Sequence, residues 1–354
     1  MKTLEELYPG CGSQDLIKSI KINSKEIEEG DLFVCTMGVT ADRHDYIDDA
    51  IKHGCKSFIV SKDIKRDGVN IIKVPDTNRE LPYLCQKFYD YPDKKLKMFA
   101  VTGTDGKTST ATIVQTLIGS DLCGYIGTNG RSCAKFKGDN PNTTPDAHLL
   151  FMYLDEFVKY GCKYAIMEAS SEAFFRGRLQ ANMYDITGYT NVTSEHLNIH
   201  GSFENYLECK KQLFKQTKKE GFCILNKDDE YFEDMKSACN GQVLTYGKDK
   251  SNDLQIVSYD VYPDHTDIVF KYKEKELKIN SKDIEMVSTL EGQEFANNIG
   301  AKFLETSAKE KAPGLEEFIT NLVEQYSKKF FLEQKTEPIQ LNVNQANRKK
   351  KKCC

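Results

Sequence analysis

Apolar and polar positions over the first 95 residues alternate between the short runs of buried strands and the spacing of amphipathic helices. A turn leads into an apolar run near residue 31, and a helix can begin at Asp76 or Thr77, either of which would cap it. The predicted elements are strands at residues 28–35 and 54–60, and helices at residues 44–53 and from residue 76 to a turn at 91–93. Strands that alternate with helices predict a small α/β domain over residues 1–95.

The same alternation continues over residues 96–280 and predicts a second, larger α/β domain with a mostly parallel sheet. Two late segments, residues 254–261 and 267–279, alternate apolar and polar residues one by one, which predicts antiparallel strands. The other predicted elements are strands at residues 98–101, 164–168, 185–191 and 222–229, and helices at residues 111–118, 147–160 and 203–218.

The pattern changes beyond about residue 280. Residues 288–300 and 314–329 predict two amphipathic helices, with a short strand and loop between them. From residue 333 the chain is polar and ends in Arg348-Lys-Lys-Lys-Lys-Cys-Cys354, which we expect to be disordered. The predicted segments are therefore two α/β domains at 1–95 and 96–280, a small α/β fragment at 281–332 and a basic tail at 333–354.

Composition narrows the class of protein without naming its chemistry. The chain has 354 residues, 39% of them hydrophobic, and a net charge of −4, which suggests two or three ordinary domains and no nucleic-acid partner. Its 12 cysteines include no C-x-x-C pair, the first residues lack a signal-peptide pattern, and no apolar run approaches the length of a membrane span. We expect a cytoplasmic monomer whose cysteines are reduced.

A glycine-containing loop between a strand and a helix is the clearest candidate for chemistry. Such a loop turns backbone N–H groups toward phosphate oxygens, and the helix N-terminus adds partial positive charge. Lys107 can reach terminal phosphates and the Thr108 hydroxyl can ligate Mg²⁺, although Val101 replaces the first glycine of the general G-x-x-x-x-G-K-[ST] pattern. The predicted nucleotide-binding residues are Gly103, Thr104, Asp105, Gly106, Lys107, Thr108 and Ser109.

Other polar residues follow predicted strands and are candidates for the same site. Glu168 ends one strand, and His196 lies in the loop after the next, where ligands bind in open α/β sheets. Spacing alone predicts that Lys210, on a charged helix, is solvated. The pair Asp228–Asp229 leaves two roles open, a helix cap or a nucleotide contact.

Several ordered motifs in residues 1–280 resemble the bacterial Mur ligases, and most closely the MurE branch, which adds the third peptide residue to UDP-N-acetylmuramoyl-dipeptide. The matching stretches are residues 30–34, 44–47, 101–110, 142–146, 167–171, 190–197, 200–201 and 206–211. The phosphate loop of that family also lacks the first glycine. Departures from the family pattern are Asn23-Ser-Lys, Asp105 and Glu172, where Asp-Ser-Arg, Asn and His are usual.

The resemblance implies an ATP- and Mg²⁺-dependent ligase that makes an acyl phosphate and then an amide with an amino acid. It implies catalytic roles for Lys107, His196 and Lys210, and Mg²⁺ ligation by Thr108, Glu168, His196 and a carbamylated Lys210. Contacts with the UDP-linked peptide are implied for Thr143, Thr144, Ser170 and Arg178, and contacts with the uridine are implied for Ser24 and His44 in the first domain. The family's third domain, which binds the amino acid, has no counterpart in the sequence, so we expect impaired activity.

Residues 291–309 and the tail resemble the C-terminal part of Rab GTPases. Thr306-Ser-Ala-Lys309 matches the loop that touches the guanine base there, and Cys353-Cys354 after a lysine run matches a doubly prenylated end. The Rab family's own phosphate loop and switches are absent from this part. Alternatives to a ligase are thus a non-catalytic, prenyl-anchored nucleotide-binding chimera or a small GTPase-like protein, and an artefactual fusion stays open.

Overall fold

The computed structural model describes residues 1–38, 41–181, 183–262, 265–272 and 275–280. Their strands form sheets of two, four and eleven strands. Within these residues no helix is long and apolar enough to cross a membrane. The segments predicted at 281–332 and 333–354, including Cys353 and Cys354, lie outside the described residues.

The first part of the chain builds a four-stranded parallel sheet in the order β3-β4-β5-β6. The strands of this part of the chain are β1 (Lys2–Thr3), β2 (Leu16–Ile17), β3 (Ser19–Lys21), β4 (Asp31–Val34), β5 (Ser57–Val60) and β6 (Asn70–Lys73), and β1 pairs with β2 in the two-stranded sheet. Its helices are α1 (Leu4–Leu7), α2 (Ile47–Lys52), α3 (Thr77–Phe88) and α4 (Pro92–Lys95), with 3₁₀ turns at Ser24–Glu26 and Arg43–Tyr46.

Helix α3 begins where its cap predicts. The carboxylate of Asp76 accepts hydrogen bonds from the backbone N–H groups of Asn78 at 2.9 Å and Arg79 at 3.1 Å. These bonds satisfy donors that have no partner inside the first turn of a helix. The prediction of a helix start at this position is confirmed.

The second part of the chain builds the large sheet, in the order β10-β9-β8-β11-β7-β12-β13-β14-β15-β16-β17. Its strands are β7 (Lys97–Thr102), β8 (Cys123–Gly127), β9 (Gly130–Cys133), β10 (Phe136–Gly138), β11 (Tyr164–Glu168), β12 (Tyr184–Tyr189), β13 (Thr217–Asn226), β14 (Gln242–Gly247), β15 (Leu254–Tyr262), β16 (His265–Tyr272) and β17 (Lys275–Asn280). Its helices are α5 (Lys107–Ile118), α6 (Ala147–Tyr160), α7 (Ser171–Phe175), α8 (Leu197–His200), α9 (Phe203–Lys215) and α10 (Phe232–Ser237).

Strand β7 lies inside a run of seven parallel strands, between β11 and β12. Val101 pairs with Glu168 on one side and with Gly188 on the other. The carboxyl ends of the three strands therefore meet at one edge of the sheet, where α/β proteins bind ligands. The α/β class with a mostly parallel sheet, predicted from the sequence, is confirmed.

The clearest differences between the predicted elements and the structure concern two strands. Residues 267–279, predicted as one strand, belong to two antiparallel strands, β16 and β17, which meet where Tyr272 pairs with Lys275. The alternation stops at Lys273-Glu-Lys-Glu276, where four polar residues follow one another between the two strands' apolar positions. Strand β13 begins at Thr217 and ends at Asn226, before the acids that the prediction for residues 222–229 included.

One hydrophobic cluster joins the four-stranded sheet to the eleven-stranded sheet. It contains Leu32 of β4, Leu84 of α3, Phe151 of α6 and Ala100 of β7, all of them buried. A smaller cluster around Phe33 and Phe58 lies on the other face of the four-stranded sheet. The division of this region into two domains at residue 95 stays a prediction.

Candidate functional site

The loop after β7 is held in place by the loop that follows β12. The backbone N–H of Thr104 donates to Asn191 O at 2.8 Å, and the backbone N–H of Asp105 donates to Asn191 Oδ1 at 2.9 Å. A Cβ atom on Gly103 would lie 1.8 Å from Thr190 Oγ1, so only glycine fits there. The loop before α5 is thus positioned by the residues that directly follow β12.

Lys107 lies across its own loop in a half-buried position. Its Nζ donates to Gly103 O at 2.9 Å and to Thr104 O at 2.8 Å. Burial lowers the pKa of Lys107, against the opposing effect of the Glu168 carboxylate. The predicted contact of this lysine with terminal phosphates stays a prediction.

Thr108 and Glu168 contact each other directly at the edge of the sheet. The hydroxyl of Thr108 donates to Glu168 Oε2 at 2.8 Å, while Oε1 accepts from Tyr125 Oη at 2.7 Å and from the N–H of Thr128 at 2.8 Å. Glu168 is fully buried, and burial together with this carboxylate raises the pKa of Tyr125. A buried carboxylate is tolerated here because its oxygens are hydrogen-bonded.

Lys210 is buried rather than solvated, so the prediction from its spacing is wrong. Its Nζ donates to Gly103 O at 2.7 Å and lies 4.6 Å from the centre of the Tyr206 ring. Burial, and secondly the charge of Lys107, hold the pKa of Lys210 well below its usual range. The signal was in the sequence, because Tyr206, Lys210, Leu213 and Phe214 recur at helical spacing on the buried face of α9.

His196 stands at the start of α8 in an exposed position. Its φ of 55° is left-handed, which is uncommon for a residue other than glycine. Its ring centre lies 6.3 Å from that of Tyr206, and it lines the same cleft as Lys107 and Lys210. Among the described residues, no group of three or more His, Cys, Asp and Glu side chains is placed to hold a metal ion.

Thr144, Ser170 and Arg178 form a hydrogen-bonded group beside the end of β11. The hydroxyl of Thr144 donates to Glu168 O at 2.8 Å and accepts from the N–H of Ser170 at 3.0 Å. Arg178 donates through Nη1 to Thr144 O at 3.1 Å and its Nε lies 2.6 Å from Asp146 Oδ1. Thr143 reaches Thr128, with 3.1 Å between their hydroxyl oxygens.

Several of these groups line one cleft of about 220 Å³, whereas the predicted residues Asp105, Gly106, Thr108, Ser109 and Glu168 are not among its lining residues. The predicted residues that line it are Gly103, Thr104, Lys107, Thr143, Thr144, Ser170, Arg178, His196 and Lys210. Tyr206 and Glu172 also line the cleft; Tyr206 was not predicted for this site, and Glu172 was predicted only as a departure from the family pattern. His200 was missed as well; it is buried beside the cleft with its Nε2 3.1 Å from Ser171 Oγ.

Ser24 and His44 do not line this cleft as far as the chain is described, and both are buried in the first part of the chain. His44 Nδ1 lies 2.5 Å from Asp42 Oδ1, and Nε2 accepts from the N–H of Ser61 at 2.9 Å. Both ring nitrogens therefore have partners within the protein. The predicted uridine contacts of Ser24 and His44 stay predictions.

Asp228 and Asp229 also lie away from the cleft lining, and their contacts favour a structural role. Asp229 Oδ1 accepts from the N–H of Tyr231 at 3.0 Å, and Oδ2 accepts from the N–H of Val192 at 3.1 Å. Tyr189 Oη donates to the same carboxylate. Asp229 thus joins the segment before α10 to the loop that positions the phosphate loop, and Asp228 accepts from the N–H of Lys248.

Comparison with protein families gives two matches that together cover most of the described chain. A model described as "Mur ligase family, catalytic domain" matches residues 16–100, and one described as "Mur ligase middle domain" matches residues 101–305. The second match continues past residue 280 and overlaps residues 291–305, for which a resemblance to Rab proteins was predicted. That resemblance, and lipidation of Cys353 and Cys354, stay predictions.

Curated relatives are similar over most of this chain. UDP-N-acetylmuramyl-tripeptide synthetase 2 of Oceanobacillus iheyensis is 30% identical over 84% of the chain and 61% of its own length. The UDP-N-acetylmuramoyl-L-alanyl-D-glutamate--L-lysine ligase of Staphylococcus aureus strain COL is 35% identical over 69% of the chain and 53% of its own length. The chain thus spans between half and two thirds of these relatives.

Solved structures show the same fold. A UDP-N-acetylmuramoyl-L-alanyl-D-glutamate--2,6-diaminopimelate ligase superposes with a TM-score of 0.68 at 22% identity, covering 84% of this chain and 64% of its own. MurF of Thermotoga maritima in complex with ADP superposes with a TM-score of 0.54 at 19% identity, covering 81% of this chain and 64% of its own.

Proposed function

The chain belongs to the Mur ligase family, and we therefore propose that it uses ATP to join an amino acid to the carboxylate of a UDP-N-acetylmuramoyl-dipeptide. The γ-phosphoryl group passes to the carboxylate, which gives an acyl phosphate and ADP. The amine then attacks the acyl carbon, and the amide forms as phosphate leaves. The observation that carries this proposal is the shared cleft, which joins the phosphate loop to Thr144 and Arg178.

The charge of the cleft suits two anionic reactants. Lys107 and Arg178 line it, so a triphosphate and a carboxylate would each meet a cationic group. Phosphoryl transfer depends mainly on positioning and on neutralising charge, which fixed cations supply. Lys107 would exchange its carbonyl partners for phosphate oxygens, and Arg178 would hold the carboxylate beside Thr144.

The residues around Thr108 fit Mg²⁺, which the family implies. Thr108 and Glu168 offer a hydroxyl and a carboxylate whose oxygens are 2.8 Å apart, and Mg²⁺ prefers such oxygen ligands. We propose that these two residues hold it, with His196 and a carbamylated Lys210 as further ligands. Bound Mg²⁺ would neutralise phosphate charge. Carbamylation requires an uncharged amine, which the lowered pKa of Lys210 favours.

We propose a diamino acid as the amine. The names of the relatives specify L-lysine in some cases and 2,6-diaminopimelate in others. Both L-lysine and 2,6-diaminopimelate are therefore to be tested as substrates.

The proposal is tested by trapping the acyl phosphate. The purified chain is incubated with ATP, Mg²⁺, UDP-N-acetylmuramoyl-L-alanyl-D-glutamate and hydroxylamine, and ADP and acyl hydroxamate are measured together. We expect both products to require the UDP-linked acid. Lys210→Met should lower hydroxamate formation by about 100-fold, because the side chain proposed to hold Mg²⁺ after carbamylation is lost.

Lys215→Met is the matched control. Lys215 lies on the same helix, but its side chain is 46% exposed and pairs with Glu208. This variant should keep the wild-type rate. ADP release that does not depend on the UDP-linked acid, or no hydroxamate from the wild-type chain, would contradict the proposed function.

A further inference from the structure

Glu172 is the one acidic residue among the described residues that line the cleft. The basic residues there are Lys107, Arg178, His196 and Lys210. Anionic reactants account for the basic groups. They do not account for a carboxylate, which would repel a phosphate brought close to it. Glu172 therefore suits the one reactant that arrives as a cation.

The geometry of Glu172 leaves part of its carboxylate available. It lies in the first turn of α7, where Oε1 accepts from Arg176 Nε at 2.6 Å. Within the described chain Oε2 has no hydrogen-bond partner, and the side chain is 37% exposed. Arg176 thus fixes the orientation of the carboxylate while one oxygen can still accept a hydrogen bond.

The position of Glu172 relates it to the proposed carboxylate site. Ser170, two residues earlier, donates its N–H to Thr144 Oγ1 at 3.0 Å, and Arg178 donates to Thr144 O at 3.1 Å. A carboxylate held by Thr144 and Arg178 would therefore lie in the same cleft as Glu172. Nucleophile and acyl carbon must approach closely for the reaction.

We propose that Glu172 receives the ammonium group of the incoming amino acid and takes up the first proton that it loses. This inference rests on the proposed function. The freed amine forms the C–N bond, the C–O bond to the phosphoryl group breaks, and phosphate leaves with that electron pair. The second proton on nitrogen passes to the departing phosphate, and the first passes from Glu172 to water.

The test compares an amine that arrives charged with one that does not. Hydroxylamine is largely uncharged at neutral pH and needs no proton acceptor, whereas L-lysine and 2,6-diaminopimelate arrive as ammonium ions. With ATP, Mg²⁺ and UDP-N-acetylmuramoyl-L-alanyl-D-glutamate, amide and hydroxamate are measured for the wild-type chain and for Glu172→Gln. The ratio of amide to hydroxamate should fall by about 100-fold in the variant, as when a general base is lost.

Two other variants separate this role from a structural one. Arg176→Ala removes the partner but keeps the carboxylate, so its ratio should fall much less than that of Glu172→Gln. Glu208→Gln, an acid on α9 that pairs with Lys211, should leave the ratio unchanged. Thermal melting checks that each variant is folded.

Each outcome decides the proposal. A ratio in Glu172→Gln equal to the wild-type ratio, or equal losses in Glu172→Gln and Arg176→Ala, overturns the role of Glu172. Hydroxamate without amide from the wild-type chain overturns it as well, while leaving carboxylate activation intact. No hydroxamate from the wild-type chain overturns the proposed function and, with it, this inference.

Discussion

At the scale of single residues, buried polar groups are stabilised by partners both close to them and distant along the chain. His44 is nearly enclosed, and its ring is held between the carboxylate of Asp42 and the backbone of Ser61. Asp42 in turn pairs with Lys62. Burial alone would raise the pKa of Asp42, but the hydrogen bonds from Lys62 and His44 outweigh it and hold this pKa well below its usual range.

The lowered pKa of Asp42 predicts a pH-dependent contribution to stability. The ionised form is favoured in the folded protein, so its contribution is present above the unfolded pKa of about 4 and is lost as pH falls through the folded value. We expect Asp42→Asn to lower the free energy of unfolding by about 2 kcal/mol at pH 7, and by progressively less below about pH 4. Urea unfolding of the wild-type chain and of the variant at several pH values measures the free-energy difference and its change with pH.

The control is Asp63→Asn. Asp63 also pairs with a lysine, Lys73, but its side chain is 92% exposed, and exposed pairs contribute little. A loss in Asp42→Asn that stays constant from pH 7 to pH 3 would show that the charge of Asp42 is not the cause.

Residues of the site differ in how far the sequence reveals them. The phosphate loop is visible because all its parts are contiguous. Glu168 could be placed at a strand end, but its contacts with Thr108 and Tyr125 join positions 60 and 43 residues apart, which no spacing shows. Burial of Lys210 was encoded in the face of α9 and was masked by the charged residues around it.

At the scale of elements, caps and periodicity fix the bounds of α6 and β11. Both agree with the predicted bounds of residues 147–160 and 164–168. Gly161, with a φ of 91°, ends α6 in a left-handed conformation that favours glycine. The reversal between β16 and β17 was not predicted, although four successive polar residues, Lys273-Glu-Lys-Glu276, interrupt the alternation there.

Packing of α6 on β8 predicts a steric limit at Gly124. A Cβ atom there would lie 2.3 Å from Phe157 Cδ2, so the ring and the strand touch without space for a methyl group. Gly124→Ala should destabilise the protein by about 1–3 kcal/mol through overpacking. The midpoint of urea unfolding measures the effect.

The double variant Gly124→Ala/Phe157→Leu, in which a smaller side chain replaces the ring, should recover part of the stability that Gly124→Ala loses. Gly188→Ala is the matched strand control, because its Cβ would lie 3.5 Å from Val101 Cγ2, an ordinary contact. If Gly188→Ala destabilised the protein as much as Gly124→Ala, the cause would be a general cost of alanine in these strands rather than the ring.

At the scale of the whole molecule, the shared hydrophobic cluster links the stability of the two sheets. Phe151 on α6 is fully buried in it, together with residues of β4, α3 and β7. A core that spans both sheets makes their unfolding cooperative. The two family models meet at residues 100 and 101, inside β7, so the match boundary does not divide the core.

Phe151→Ala should therefore destabilise both sheets together. The lost burial predicts about 3–5 kcal/mol, and amide exchange in β4 and in β7 should accelerate to the same extent. Leu117→Ala, at a position that is 66% exposed, should change either rate little. Faster exchange confined to the large sheet would show that the two sheets unfold independently.

The carbonyl oxygen of Gly103 accepts hydrogen bonds from two lysines, Lys107 at 2.9 Å and Lys210 at 2.7 Å. The carbonyl oxygen can accept both bonds, and the positive charge of Lys107 so close by disfavours protonation of Lys210. An anion that draws Lys107 away would leave this oxygen to Lys210 and remove a nearby positive charge, so protonation of Lys210 would become easier. Occupancy of the loop and the protonation of Lys210 are thus thermodynamically coupled through a single backbone atom.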